Sequence, residues 1–190
     1  MTYERRRWQD KWRIERMARA VREQMGLDQF ERLDPWELAD RVPAHVFYPE
    51  DLVETEQARH VSQVNWDGFG FCFDDDPTLI VLLNSARPVT RQTSTLMEEL
   101  SHQLLGHRPS RLLTDPTTGL LRREFNEGQE HEAYDLGTTL LLPKELVQRD
   151  VGVGNSAISI ARGRGCSRQV VEYRIRRCRL WNRYTATGAS

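Results

Sequence analysis

The sequence predicts an α+β fold: a small β-sheet packed on helices, with a helical extension towards the C-terminus. Three observations lead there. Apolar residues recur at helical spacing near both ends, short β-branched and aromatic runs cluster between residues 44 and 84, and long helical patterns resume after that cluster. The 190 residues suit one domain of ordinary size with small appendages. The expected organisation is an N-terminal helix over residues 1–30, a sheet-containing domain over 31–150, and a basic, helix-turn-helix-like extension over 151–190.

Taken in order, Tyr3 to Gln24 contains neither Pro nor Gly, and Trp8, Trp12, Met17, Ala18 and Val21 form its apolar stripe. Trp8 and Trp12 are expected as buried anchors of this helix. Gly26 is a stop signal. In "LDPWELADRV", Asp34 is an N-cap residue, Pro35 opens the first turn and Glu37 stands at the capping-box position of a short helix. "AHVFYP", "HVSQVNW", "GFCFDD" and "TLIVLLN" read as three or four strands, with "WDGFG" as a tight turn and "DDD" at 74–76 as a solvated one. "TLIVLLN", apolar throughout, suits a strand buried on both faces. A helix follows from about Thr90 to Leu105, with Gly106 as its stop. A loop with Pro109 and Asp115-Pro116 leads to "GLLRREFN", a strand or hairpin arm. A second long helix spans about Glu127 to Leu142 and ends at Pro143. "PKELVQRD" starts another helix at its proline, and "VGVGNS" is the most linker-like stretch. Ser156–Arg162 and Ser167–Arg177 read as two helices around "GRGCS".

Composition narrows the function classes. A hydrophobic share of 38% and a charged share of 29% suit a soluble globular protein. No apolar run is long enough to cross a bilayer, and the arginines of the N-terminus lead into no apolar segment of a secretory signal, so a cytoplasmic location and no membrane partner are expected. Cys72, Cys166 and Cys178 lack CxxC spacing, which argues against a disulfide framework and a cysteine zinc site. The net charge of −1 conceals an asymmetry. Residues 1–23 hold eight Arg/Lys against four Asp/Glu, and residues 162–183 hold eight Arg against one Glu, so the middle of the chain is strongly acidic. The basic ends can pack on that middle or meet a polyanion such as nucleic acid. Arg168, Gln169 and Arg174 of the extension are residue types that touch bases or phosphates. DNA is therefore a conceivable partner, but packing of Val170, Val171, Ile175 and Leu180 on a core, or docking of a protein, is the favoured use of the segment.

The chemistry concentrates in "TLMEELSHQLLGH", residues 95–107. Glu98 and His102, four apart on a helix, share a face, and Glu99 lies about 100° round from it. Such spacing suits a metal held by positions i and i+4, with the intervening glutamate as general base towards a water. A third ligand is offered by "EGQEHEAYDLGTTLLLP", where Glu130, His131, Glu132 and Asp135 occupy a second helix. His107, five residues past His102, is about 140° off its face by helix geometry and fits poorly as a ligand.

"RQTSTLMEELSHQLLGH", followed by "EHEAYDLGTTLLLP", resembles the ImmA/IrrE metallopeptidases, whose pattern is a helix carrying HExxH and then a helix reading E-x-E-A with a terminal L-L-x-P. The strand ending in Asn84 and the segment "DPWELADRV" match as well. The resemblance covers roughly residues 34–147, with a looser echo to 180. It implies a zincin-like fold, His102 as a metal ligand, Glu99 as general base and Glu132 as third ligand, with Glu130 as the fallback. It implies Zn2+ as cofactor and a protein substrate, in this family a helix-turn-helix repressor. An extended substrate segment would add to the sheet near Asn84. This chain departs from the pattern at Glu98, where the family has His. Three arrangements are open. Glu98 can ligate directly, in a less positive site with more tolerance of Mn2+ or Fe2+. The site can be metal-free, Glu98 and His102 being a helical charge pair in a non-catalytic regulator that binds protein or DNA. Or His107 or His131 can substitute.

Overall fold

The computed structural model describes residues 3–73, 76–107, 112–114, 121–123 and 126–186. In chain order its helices are α1 (Tyr3–Gln24), α2 (Pro35–Ala39), α3 (Pro49–Leu52), α4 (Thr55–Gln63), α5 (Val89–Leu105), α6 (Glu127–Leu141), α7 (Lys144–Gly152), α8 (Ala157–Arg164), α9 (Arg168–Arg177) and α10 (Trp181–Ala186). Its strands are β1 (Ala44–Phe47), β2 (Gly68–Phe73), β3 (Asp76–Leu83), β4 (Leu112–Thr114) and β5 (Leu121–Arg123). The fold is α+β, as the patterning predicts. Two compact units form: one from Pro35–Tyr134, the other from Met1–Asp34 with Asp135–Ser190. The side chain of Trp8, the Asp74–Asp75 turn and the loop with Pro109 and Asp115-Pro116 lie outside the described residues.

The unit of residues 35–134 is built on a three-stranded mixed sheet of order β1-β3-β2. Strand β1 runs parallel to β3 and β2 antiparallel to it. Helix α5 packs on β2 and β3, and α2 packs against α5 and β1. A separate hairpin pairs β4 with β5. The apolar run Leu79–Leu83 of the central strand is not buried on both faces. Leu79, Val81 and Leu83 are buried, while Ile80 and Leu82 are only half-buried, so the period-2 pattern of a one-faced strand holds despite the sequence. "HVSQVNW" does not form the expected strand. Its first residues belong to α4, where Ala58 and Ser62, four apart, are the buried positions, so helical spacing overrides the β-branched composition. Nor is "WDGFG" only a turn: its two glycines already lie in β2.

The segment from β3 to α5 turns on Asn84, which is fully buried. Its side-chain amide donates to the carbonyls of Ser62 and Trp66, both at 3.0 Å, and its Oδ1 accepts from the Ala86 N–H at 3.0 Å. The residue expected near a substrate edge thus sits at the end of the central strand and ties the corner ahead of α5.

In the other unit, Ile14, Ala18 and Val21 of α1 are buried with Leu136 and Leu140 of α6, Leu146 and Val147 of α7, Ile160 of α8, and Val170, Val171 and Ile175 of α9. Trp12 is 70% exposed, so it is not the anchor expected; the stripe runs through Ile14 instead. Two arginines are buried in full. Arg22 donates to the carbonyls of Asp28, Glu31 and Leu140, and Arg174 donates to Glu15 at 2.9 Å and to the Leu142 carbonyl at 3.0 Å. Ser156 and Ser167 cap α8 and α9 by accepting from Ser159 and Val170, both at 3.2 Å. The helix pair of the extension is present, but Arg174 is turned inward, away from any role at a phosphate. Arg168 is exposed and pairs with Glu172 at 2.6 Å, and Gln169 is exposed. No helix of the described residues is long and apolar enough to cross a membrane.

Asn84→Ala removes three hydrogen bonds, one of them fully buried, and takes this partner from the Ser62 carbonyl and the Ala86 N–H, while Arg87 still donates to the Trp66 carbonyl. It is expected to cost about 2–4 kcal/mol of unfolding free energy, read by urea denaturation. A loss under about 0.5 kcal/mol would show that the corner does not depend on it.

Candidate active site

Helix α5, which carries the sequence-predicted residues, lies close against the sheet. The two glycines of β2 make this so. A Cβ on Gly68 would stand 2.8 Å from the Leu82 carbonyl oxygen and 2.9 Å from the Thr95 methyl group. A Cβ on Gly70 would stand 2.6 Å from Oε2 of Glu99 and 3.0 Å from a Leu79 methyl group. The space that would hold a side chain at residue 70 is therefore taken by the Glu99 carboxylate. Glu99 is only 4% exposed and faces β2 from the helix.

Glu98, one position earlier, is half-buried. It lies on the Arg91 side of α5. The Arg91 guanidinium is held above its ordinary pKa by its hydrogen bond to Asp67 first, at 2.6 Å, with the Glu98 charge adding to it.

His102 occupies the last turn of α5. Its Nε2 is buried and has no hydrogen-bond partner among the described residues, and Oε2 of Glu130 on α6 lies 3.4 Å from it. Its Nδ1 lies 3.0 Å from Nδ1 of His107. His107 in turn places Nε2 3.0 Å from Oε2 of Glu132. The structure therefore joins Glu130, His102, His107 and Glu132 in one line of contacts. The helix ending explains the part the sequence reading missed. Gly106 adopts φ 66°, a left-handed conformation, and the N–H groups of Gly106 and His107 bond back to the carbonyls of Gln103 and His102. His107 has left the helix, so its helical angle does not apply, and it folds back onto the ring of His102 with centroids 5.0 Å apart. The stop signal at Gly106 is legible in the sequence; the return of His107 onto His102 is a tertiary consequence of it.

Of the remaining candidates on α6, His131 is exposed. Asp135 is buried and bound elsewhere, by the hydroxyl of Tyr173 and the guanidinium of Arg177, in the unit it shares with them. Burial first, then the bond to Asp135, pushes the Tyr173 hydroxyl well above the usual range.

A metal fits two of these donors. In a tetrahedral zinc site with bonds of about 2.0–2.2 Å, two ligand atoms stand roughly 3.3–3.5 Å apart. The 3.4 Å between His102 Nε2 and Glu130 Oε2 has that length, and the imidazole nitrogen there is otherwise unsatisfied. Among the described residues, no three His, Cys, Asp or Glu side chains are grouped so as to hold an ion.

The sequence profile of a peptidase family, described as the IrrE N-terminal-like domain, matches residues 53–176, well over half of the chain. The chain belongs to this family. A search of curated proteins found no match. The IrrE N-terminal-like match takes in β2, β3, α5 and α6 and continues through most of α9, so it includes every residue of the Glu130–His102–His107–Glu132 line. It begins after α1, α2 and β1.

Gly68→Ala and Gly70→Ala separate the two consequences of the close packing. At Gly68 the obstruction is backbone, so the substitution is expected to destabilise by about 1–3 kcal/mol in thermal or urea unfolding. At Gly70 it is chiefly the end of the Glu99 side chain. There the stability loss is expected to be the smaller of the two, while the Glu99 carboxylate is displaced, which a crystal structure of the variant would show. Equal losses with Glu99 unmoved would contradict this.

Proposed function

We propose that the protein is a metal-dependent endopeptidase of the ImmA/IrrE type, acting on a protein substrate. The observation that carries this reading is the buried, unsatisfied Nε2 of His102 held 3.4 Å from the Glu130 carboxylate, on the two helices that the peptidase-family match spans. His102 and Glu130 would hold a divalent ion, zinc by the donor set. Glu98, one helical turn before His102, supplies the position the family pattern fills with histidine, and Glu132 is the second carboxylate of α6. When bound, the ion supplies Lewis acidity at the scissile carbonyl.

The protein's own residues do the rest. Glu99, buried against Gly70, would take a proton from an attacking water and deliver it to the leaving amine. Its seclusion between α5 and β2 keeps bulk water from competing for the carboxylate. β2 is an outer strand of the sheet, so an extended substrate segment adding along it would pass beside Glu99. This assigns the substrate edge to β2 and leaves Asn84 to hold the corner behind it. The resemblance to ImmA/IrrE proteins makes a helix-turn-helix repressor the substrate class to try first.

A non-catalytic regulator of the same fold is the competing reading. What favours it is the glutamate at position 98 together with the lack of a three-residue metal group among the described residues.

Elemental analysis and cleavage assays decide between them. Purified protein supplied with Zn2+ or Mn2+ is expected to carry about one ion per chain. Glu99→Gln is expected to keep that ion and lose cleavage of an unfolded protein probe by on the order of 100-fold or more. An ion content far below one, unchanged by added Zn2+ or Mn2+, would sink the catalytic reading. Glu98→His provides the test of position 98. It is expected to raise zinc affinity in chelator competition, and an unchanged or lower affinity would place Glu98 outside the ion's surroundings.

A further inference from the structure

We propose that His107 is a positioning residue: with Glu132 behind it, it holds the His102 ring in the tautomer that carries its proton on Nδ1, so that Nε2 presents a lone pair beside Glu130. This deepens the metallopeptidase reading of the same cluster and rests on it for its purpose, though not for its geometry.

The argument follows the donors and acceptors along the line. An ionised carboxylate only accepts, so the 3.0 Å contact between Glu132 Oε2 and His107 Nε2 needs the proton on that nitrogen. A neutral imidazole carries one proton, so His107 Nδ1 is then bare and can only accept. Its partner at 3.0 Å is Nδ1 of His102, which must donate. The one proton of a neutral His102 is thereby committed, and its Nε2 is left as a lone pair. That agrees with what Nε2 does in the structure. A protonated Nε2 facing a carboxylate would close to a hydrogen bond, whereas this nitrogen is buried and unbonded at 3.4 Å from Glu130.

Ligand histidines commonly donate their second nitrogen to a carboxylate or carbonyl, which fixes tautomer and ring direction. Here the carboxylate acts at one remove, with a second histidine between. The Gly106 ending of α5 makes the interposition feasible, because it returns His107 to the ring it follows by five residues.

Histidine-selective 15N labelling and long-range 1H–15N correlation spectra of the metal-free full-length protein at mildly alkaline pH read both tautomers directly. The five histidines are assigned by single substitutions. The expected result is His102 protonated on Nδ1 and His107 on Nε2. His102 protonated on Nε2, or His107 protonated on both nitrogens, would overturn the proposal whether or not the protein cleaves anything. Variants add a second reading. His107→Phe removes the acceptor and is expected to return His102 to the Nε2–H form and to weaken Zn2+ binding by on the order of 10–100-fold in chelator competition. His107→Gln keeps an acceptor oxygen and is expected to recover part of that affinity. Zn2+ affinity equal to the parent's in His107→Phe, with circular dichroism unchanged, would show that His107 does not position the ligand. The peptidase reading fails separately, on cleavage and on Glu99→Gln.

Discussion

The close approach of α5 to the sheet is the constraint from which the site follows. At Gly68 and Gly70 the strand gives up two side chains, and the helix occupies the vacated volume with the Thr95 methyl group and the Glu99 carboxylate. A buried carboxylate is costly unless its surroundings are fixed around it. The structure meets this by anchoring the helix: Leu96, Met97 and Leu100 are buried on it, Gln92 donates to the Arg87 carbonyl at its start, and Asn84 ties the corner before that. A carboxylate set in such a frame has few directions in which to relax. Were Glu99 the general base proposed above, such a frame would hold it at one distance from a substrate strand beside β2, where an ångström of misplacement is expensive in rate.

The charge pattern of the chain resolves differently from its appearance in the sequence. The arginine-rich ends suggest a surface for a polyanion, yet the unit that contains them consumes several of those arginines internally. Arg22 serves three backbone carbonyls, Arg174 and Arg177 bind Glu15 and Asp135, and Arg176 stacks on Trp181 with its guanidinium 3.7 Å from the ring centre. Arginine is suited to this because its planar fork can satisfy several acceptors at once while remaining charged. Removing such a residue from a buried position strands its acceptors, so these side chains are held by stability before any partner is considered.

How legible all this was depended on the range of the signal. Local chemistry was read well: Pro143, Ser156, Ser167 and Gly106 delimit their helices near where the sequence placed them, because caps and breakers act within one turn. Tertiary effects were not. Trp12 is large and apolar, which says bury it, but the helix face that is buried passes through Ile14 and Ala18 instead. "HVSQV" has strand composition, and only burial of Ala58 and Ser62 on one side makes it helical. The glycines of "WDGFG" read as a turn because a glycine in sequence does not say whether it serves a bend or a neighbour's side chain. In the site, the spacing of Glu98, Glu99 and His102 on one helix and of the carboxylates on the next was visible. The pairing of those carboxylates was not, since it depends on how two helices meet over a few ångströms.

That pairing changes what the glutamate at position 98 means. Helices α5 and α6 carry Glu98, Glu99, Glu130 and Glu132, and Arg91, bound to Asp67, also feels the charge of Glu98. Exchanging a histidine for Glu98 therefore adds negative charge where there is already an excess. Each added carboxylate would offset the field of a bound divalent ion and weaken it as a Lewis acid. A direct histidine ligand keeps the ion's charge less neutralised than a carboxylate does. On the metallopeptidase reading proposed above, His102 would be the imidazole that leaves a bound ion's charge least neutralised, which would give the second imidazole at 3.0 Å its use.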